Sequence, residues 1–309
     1  MTLFELTVAL AIASGASILL VGLGELLAQK AGVLNIGLEG IMLMGAVGGF
    51  IAGVHTGNPV LGLLAAAAVG GIFNLIFFSS AAVVLKADQI ICGLALVFIG
   101  IGLSGEWGKS YVGDAAAGTI STWRVPGLSD IPVLGPILFR QVWLVYVALI
   151  LPFLAHFLLY RTRHGLNIRA IGDDPVAADA AGIPVVRWQL FYTFVCGALA
   201  GIGGGYLSLG VIHHWGHRLT GGLGWIALAI VFVAGWRPVG LIFAAFLFGG
   251  LRALSDVAQQ FGWPIPSEFL SMLPYLGTFI VVVGRGVWYW RRPGRSVAPE
   301  ALGIPFIRN

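Results

Sequence analysis

Long apolar runs recur along the whole chain, and they constrain its fold more than any other feature of the sequence. Nine such runs lie at 3–28, 33–53, 60–85, 90–105, 142–160, 189–212, 223–236, 239–256 and 267–284. Most of them are long enough to cross a bilayer as a helix, which takes about 17 to 25 residues. The sequence therefore predicts an all-α, polytopic transmembrane bundle of about nine spans, within a range of eight to ten.

Composition excludes an ordinary soluble domain. Only 10% of the 309 residues are charged, against about 25% in soluble proteins. No polar segment exceeds a few dozen residues, so we expect one transmembrane domain over 1–309. Its predicted parts are an N-terminal half (1–160), a cytoplasmic coupling segment (161–188), a C-terminal half (189–285) and a cytoplasmic tail (286–309). The net charge of +4 comes from loops and the tail, which indicates membrane topology and not nucleic-acid binding.

A polar island from Tyr160 to Trp188 holds the densest group of charges. It contains Arg161, Arg163, Arg169, Arg187, Asp173, Asp174 and Asp179. Each such charge costs about 2.5 to 3.5 kcal/mol at the centre of a membrane helix, so the island must lie in water at a membrane face. Asp173-Asp174-Pro175 predicts the start of a short helix over VAADAAG, and Gly182 ends it. Another protein could push on such a helix.

Lysines and arginines predict which end of the bundle faces the cytoplasm. The island and the tail are rich in arginine and should both lie inside. Four predicted crossings separate them, and an even number agrees with this assignment. Counting backward places Lys30 and Lys86 inside, and it places the N-terminus, the turn 55–59 and the loop 106–141 outside.

Two glycine-rich segments in opposite halves of the chain resemble each other weakly. They are VLNIGLEGIMLMGAVGG (33–49) and LTGGLGWIALAIVFVAG (219–235), which share glycine spacing and an apolar end. On the predicted topology they run in opposite directions, as the members of an inverted repeat do. Glycine-broken segments at matching places in two halves indicate a substrate path. Chance similarity is the alternative.

Five polar residues inside the apolar runs are candidates for a substrate path: Glu25, Asn35, Glu39, Asn74 and Gln89. A polar group at membrane depth is costly and usually faces a cavity or a partner. Two alternatives stay open. Glu25 is near the inner end of its span and could extend toward water, and the others could serve only as hydrogen-bonding links between helices.

Three motif-like patterns do not support chemistry in this chain. GEWGKS ends like a phosphate-binding loop, but Leu103 stands where that pattern needs glycine. The group His213, His214 and His217 has no evident fourth zinc ligand. Gly201 to Gly205 follows no strand, so close helix packing is the better interpretation. We therefore predict no catalytic residue, metal or cofactor, and any ATP would be bound by a separate chain.

Four segments resemble a known family. They are AGVLNIGLEGIMLMGA (31–46), KADQIICGLAL (86–96), RTRHGLNIRAIGDDPVAADAAGIPV (161–185) and GLGWIALAIVFVAGWRPVG (222–240). In this order they resemble the membrane subunits of bacterial ABC importers, in the branched-chain amino acid and ribose permease superfamily. The resemblance spans about residues 20–285. The segment LNIGLEGIMLMGA is similar to the nucleoside and simple-sugar branch.

The resemblance implies a function and a set of partners. The island would be the coupling segment that docks on an ATPase subunit, and its pattern is occupied by Asp173, Asp174, Pro175, Ala178, Asp179, Ala181 and Gly182. Partners would be ABC ATPase subunits, a second permease (related or identical), an extracytoplasmic solute-binding protein and the lipid of a bacterial cytoplasmic membrane, without nucleic acid. The solute would be a nucleoside or a simple sugar. Alternatives are another solute, such as branched-chain amino acids, or an ion-coupled secondary transporter that uses Glu25 and Glu39.

Overall fold

A computed structural model shows a bundle of long helices. It describes residues 3–307 except 117–119, 125, 128, 130, 132–133 and 291–297. The helices in this part are α1 (Leu3–Lys30), α2 (Leu38–Thr56), α3 (Pro59–Phe73), α4 (Gln89–Gly108), α5 (Leu134–Leu138), α6 (Trp143–Arg161), α7 (Arg163–Asp173), α8 (Pro175–Ala180), α9 (Val185–Tyr206), α10 (Leu223–Ala234), α11 (Pro238–Gln260) and α12 (Ser267–Trp290). Helix α3 continues as a π-helix over Asn74–Val84, and α9 continues as one over Leu207–Val211.

Each predicted apolar run coincides with one helix of the bundle. Among the described residues, seven helices are long and apolar enough to cross a membrane, and α10 and α12 contain shorter apolar stretches. The predicted all-α, multi-pass fold is therefore confirmed, and the nine runs correspond to α1–α4, α6 and α9–α12.

The boundaries differ from the prediction by five residues or more in two places. Helix α2 begins at Leu38, not at 33, because the Asn35 side chain accepts a hydrogen bond from the Gly37 amide and holds a turn before the helix. Helix α12 continues to Trp290, past the predicted end of the span at 284. Glycine has a low helix propensity but does not prevent helical backbone, so Gly284 and Gly286 do not end the helix. The arginines of the tail at 291, 292 and 295 lie outside the described residues.

The predicted outer loop 106–141 contains more regular structure than expected. Helix α4 extends to Gly108 and a short 3-10 turn follows at Lys109–Tyr111. Strand β1 (Thr122–Arg124) pairs antiparallel with β2 (Arg140–Val142), with Trp123 opposite Gln141. This ribbon is a small exception to the all-α prediction, and β2 packs on the bundle, since Val142 is buried in the main core.

The connecting segments sort into two ends of the bundle. At the first, which we call the basic end, Gly303 donates a backbone hydrogen bond to Gly32, and Lys86 lies over the Phe306 ring. At the opposite end, the outer parts of α2 and of the 106–141 loop meet, since His55 and Tyr111 are hydrogen-bonded at 2.8 Å. This partition is the one that the basic residues predict.

Glycines allow α2, α3 and α9 to approach closely. An added Cβ on Gly45 would meet the backbone of Gly201, and one on Gly201 would meet the Ala66 carbonyl. Small residues at such contacts let membrane helices gain dispersion energy along their backbones. The three helices therefore form a rigid centre around which the polar candidates are arranged.

Candidate functional site

Glu25 is fully buried and joins three segments. Its carboxylate accepts hydrogen bonds from Gln29 Nε2 (2.8 Å), from the Asn35 amide (3.0 Å) and from Cys196 Sγ (3.4 Å). The side chain is 0% exposed. The alternative that Glu25 extends toward water is therefore wrong, because these donors hold the carboxylate inside the bundle, where it ties the turn before α2 to α1 and α9.

Asn35 and Asn74 form a direct link between the turn before α2 and the π-helix after α3. Asn35 Nδ2 donates to Asn74 Oδ1 at 2.8 Å, and Asn74 Nδ2 donates to the Thr193 carbonyl at 2.6 Å. Ser79 Oγ donates to Thr193 Oγ1 at 2.8 Å. All four side chains are buried. A π-helical turn often marks a functional position, since its extra residue breaks the regular hydrogen-bond ladder.

Gln89, the first residue of α4, contacts the same turn before α2 that carries Asn35. Its Oε1 accepts from the Leu34 amide at 2.7 Å, and the side chain is 3% exposed. The preceding Asp88 caps α4 by accepting from the Ile90 and Ile91 amides. The turn that carries Asn35 is therefore held by Glu25, by Asn74 and by Gln89.

Glu39 caps a helix other than its own. Its carboxylate accepts from Thr220 Oγ1 (2.5 Å) and from the amides of Gly222 (2.9 Å) and Gly224 (2.8 Å) at the start of α10. Gly222 occupies the N-cap position of α10 and has no side chain to supply an acceptor. A carboxylate at a helix N-terminus is favoured because it satisfies free amides and the helix dipole.

Helix α10 separates this cap from the basic end. The helix has 12 residues, so it is about 18 Å long, shorter than a bilayer core of about 30 Å. Trp236, just after α10, donates to Gln29 Oε1 near the end of α1 at the basic end. Glu39 therefore lies at the opposite end of this short helix.

The two glycine-rich segments that resemble each other in sequence meet at this point. An added Cβ on Gly224 would meet the backbone of Glu39, so the starts of α2 and α10 are in close contact. From there α2 runs to the end where His55 contacts Tyr111, and α10 runs to the basic end. The opposite directions are those expected of the segments, and an inverted repeat stays a prediction.

The island has the expected short helix and one more that the sequence analysis missed. Asp174 caps α8 by accepting from the Val176 and Ala177 amides, each at 3.0 Å. Gly182 follows with a φ of +85°, which ends the helix. Before it, α7 is capped by Thr162, whose Oγ1 accepts from the Gly165 amide. Thr162 three residues before Gly165 was a signal for this second helix.

The seven predicted coupling residues do not all share one environment. Asp173 is the last residue of α7, whereas Asp174, Pro175 and Ala178 belong to α8 or its cap. Ala178 is buried, and both Asp173 and Asp174 are exposed. At the end of α8, Asp179 is partly exposed and Ala181 is exposed, and the Ala181 amide donates to the Ala177 carbonyl. The island thus places an acidic, capped helix at the basic end of the molecule.

A comparison with known families decides what kind of protein this is. The family described as "Branched-chain amino acid transport system / permease component" matches residues 7–283. The chain belongs to this family. The permease is thus a membrane-spanning transport component and not an enzyme, as the four segments quoted above predict.

Several relatives cover nearly the whole permease. The guanosine ABC transporter permease protein NupQ of Bacillus subtilis is 34% identical, over 95% of this chain and 94% of its own. The nucleoside ABC transporter permease protein NupC of Lactococcus lactis is 31% identical, over 93% and 92%. A protein of Haloferax volcanii named "Putative glucose ABC transporter permease protein TsgC13" is 39% identical, over 79% and 74%.

A solved structure has a similar fold. It is described as "An inward-facing conformation of a putative metal-chelate type ABC transporter", and it aligns with a TM-score of 0.50 over 91% of this chain and 85% of its own, at 18% identity. At that identity the likeness concerns the fold alone. It agrees with the helical, multi-pass fold described above.

Residues that complete the network were missed by sequence reasoning. The Thr193 carbonyl accepts from Asn74, and the Thr220 hydroxyl donates to Glu39. Neither has a distinctive pattern in the sequence, because threonine is common in membrane helices. Only the contact between distant segments identifies them.

Proposed function

We propose that the permease imports a nucleoside or a simple sugar across a bacterial cytoplasmic membrane. The observation that carries the solute class is the match over 95% of the chain to a permease named for guanosine. The 39% identity to the glucose-named TsgC13 keeps simple sugars in the class. A permease of this type works with ATPase subunits and a binding protein, and we propose a second permease, related or identical, as the other half of the membrane unit.

The chemistry at the centre of the bundle suits a neutral polar solute. The groups proposed to form the path are mainly amides and hydroxyls, on Asn35, Asn74, Gln89 and Thr193. The two carboxylates already have donors, three each, at Glu25 and Glu39. A solute would therefore find hydrogen-bonding partners as the helices move apart, and it would need no charge of its own.

Energy would enter through α8. The helix is capped at both ends, and Val176 and Ala177 are exposed on it beside the two aspartates. A capped helix of six residues can be moved as a unit by a partner. We propose that the ATPase subunit grips this helix and that closure of the ATPase pair shifts it.

The solute class is tested in a reconstituted complex of the permease, its ATPase subunits and its binding protein. ATP hydrolysis is measured with guanosine, uridine, ribose, glucose and leucine in turn. Stimulation by a nucleoside or a sugar, without stimulation by leucine, is the expected result. Stimulation by leucine alone would refute the solute class, and uptake into vesicles driven by an ion gradient without ATPase subunits would refute the energy source.

The docking role of α8 is tested by charge. Replacing Asp173 and Asp174 together with lysine should lower transport while the permease still inserts into the membrane. Wild-type transport in that variant would show that the ATPase does not use this helix.

A further inference from the structure

The last described stretch of the chain, 298–307, returns to the coupling segment. We call it the C-terminal strap. The Ala301 amide donates to the Gly172 carbonyl at 3.0 Å, and the Gly303 amide donates to the Gly32 carbonyl at 3.4 Å. The strap is therefore tied by its backbone both to the last turn of α7 and to the turn that follows α1.

Phe306 anchors the strap in the corner formed by three helices. Its side chain is 6% exposed, and it forms an apolar cluster with Ile171, Ala178 and Val185, which is separate from the main core. These three residues come from α7, α8 and α9. The ring therefore fills the space between the coupling helix and the two helices that flank it in the chain.

A fourth element meets the same ring. Lys86, in the turn before α4, has its ammonium 5.6 Å from the ring centre of Phe306, within the range of a cation–π contact. Burial lowers the pKa of Lys86. The strap thus touches the connections α1–α2 and α3–α4 as well as the coupling segment.

The coupling helix needs such support. A helix of six residues is far below the roughly 12 to 15 residues at which a helix is marginally stable alone, so packing must hold α8 in place. Ala178 is its buried residue, and Ala178 belongs to the Phe306 cluster. By contrast, Ile304 and Ile307 of the strap are 59% and 65% exposed. Phe306 is therefore the side chain by which the strap reaches the cluster.

We propose that the C-terminal strap, through Phe306, is a positioning element of the coupling helix. It holds α8 against α7 and α9, and it passes a displacement of α8 to the turn at Gly32, which leads to Asn35. The proposal rests on the proposed role of α8 as the coupling helix. Gly172 of α7 also packs directly on the Lys30 carbonyl at the end of α1, where an added Cβ would collide. The coupling segment is therefore connected to the end of α1 in two ways, by this direct contact and by the strap.

The test measures solute transported per ATP hydrolysed in the complete complex, together with the amount of ATPase subunit that remains bound. Phe306→Ala should lower this ratio about fivefold or more, because truncating a buried aromatic ring loosens the packing that positions α8. Phe306→Leu keeps much of the volume and should restore the ratio to within about twofold of wild type. Ile307→Ala, one residue away and exposed, is the matched control and should leave it unchanged.

Gly182→Val serves as a reference that alters α8 itself. If Gly182→Val lowers the ratio and Phe306→Ala does not, the strap proposal is overturned while the coupling role stands. If Gly182→Val leaves the ratio unchanged, the coupling role fails and the strap proposal fails with it. If the complex with Phe306→Ala does not assemble, Phe306→Val is compared with Ile307→Val instead. Equal amounts of solute transported per ATP in these two variants would overturn the proposal.

Discussion

Replacing Glu39 with alanine should detach the start of α10 from α2. Three donors lose their acceptor: Thr220 Oγ1 and the Gly224 amide, which are buried, and the Gly222 amide, which is partly buried. An unpaired buried donor costs about 1 to 3 kcal/mol, so the two buried donors alone set a loss of at least about 2 kcal/mol. Glu39 and Thr220 are buried in the bundle, so few substitute partners are at hand.

Glutamine at the same position should have a smaller effect. Its single acceptor oxygen can take the place of Glu39 Oε1, which receives two of the three bonds. The amide nitrogen would then face the Gly224 amide, so one donor stays unpaired at a cost of about 1 to 3 kcal/mol. The order of stability should therefore be wild type, Glu39→Gln and Glu39→Ala.

Thermal unfolding in detergent, followed by fluorescence-detected size exclusion, measures this order, and transport is recorded in the same variants. The exposed Glu106 at the opposite end of the bundle provides the control Glu106→Gln. If both Glu39 variants unfold at the temperature of that control, the carboxylate does not hold α10 and the reasoning is wrong.

Three further predictions concern other parts of the bundle. Gly201→Ala should lower the unfolding temperature, since its Cβ would meet the backbone of α3 at a cost of about 1 to 3 kcal/mol; Gly216→Ala, with open space around its Cβ, should not. Gly182→Val strains a φ of +85° and should separate ATP hydrolysis from transport without preventing insertion, so unchanged transport would contradict the role of α8. In a double-mutant cycle of Asn35→Ala and Asn74→Ala, the losses in the free energy of unfolding should deviate from additivity by about 0.5 to 3 kcal/mol. Additive losses would show that the hydrogen bond between the two side chains contributes nothing.

The helices of the bundle could be predicted well because the signal is strong and local. An apolar run of membrane-spanning length must satisfy its backbone hydrogen bonds internally in lipid, which favours a helix. Helix α6 at Trp143–Arg161, for example, begins and ends within one residue of its predicted bounds. Boundaries were less predictable where a polar side chain competes for backbone donors. Asn35, for example, replaces the predicted first turn of a span with a non-helical turn.

The candidate residues stand out in the sequence as polar groups within apolar runs, but the contacts that they make depend on distant partners. Glu25 could be placed near the inner end of its span, yet one of its hydrogen-bond partners is a cysteine 171 residues away. Glu39 could be placed one turn into its span, yet its function as the cap of α10 follows from donors 181 to 185 residues away. No local pattern encodes such pairings.

The sequence by itself determined the membrane class, the helical spans, the two ends of the bundle and the short acidic helix of the island, because hydrophobic length, charge and capping residues act over a few neighbouring positions. Only the tertiary structure decided that the two glycine-broken segments meet at Glu39 and that Phe306 of the C-terminal strap packs against α8. Those contacts join residues far apart in the chain, and they form because buried donors and apolar side chains must find partners wherever the folded bundle brings them together.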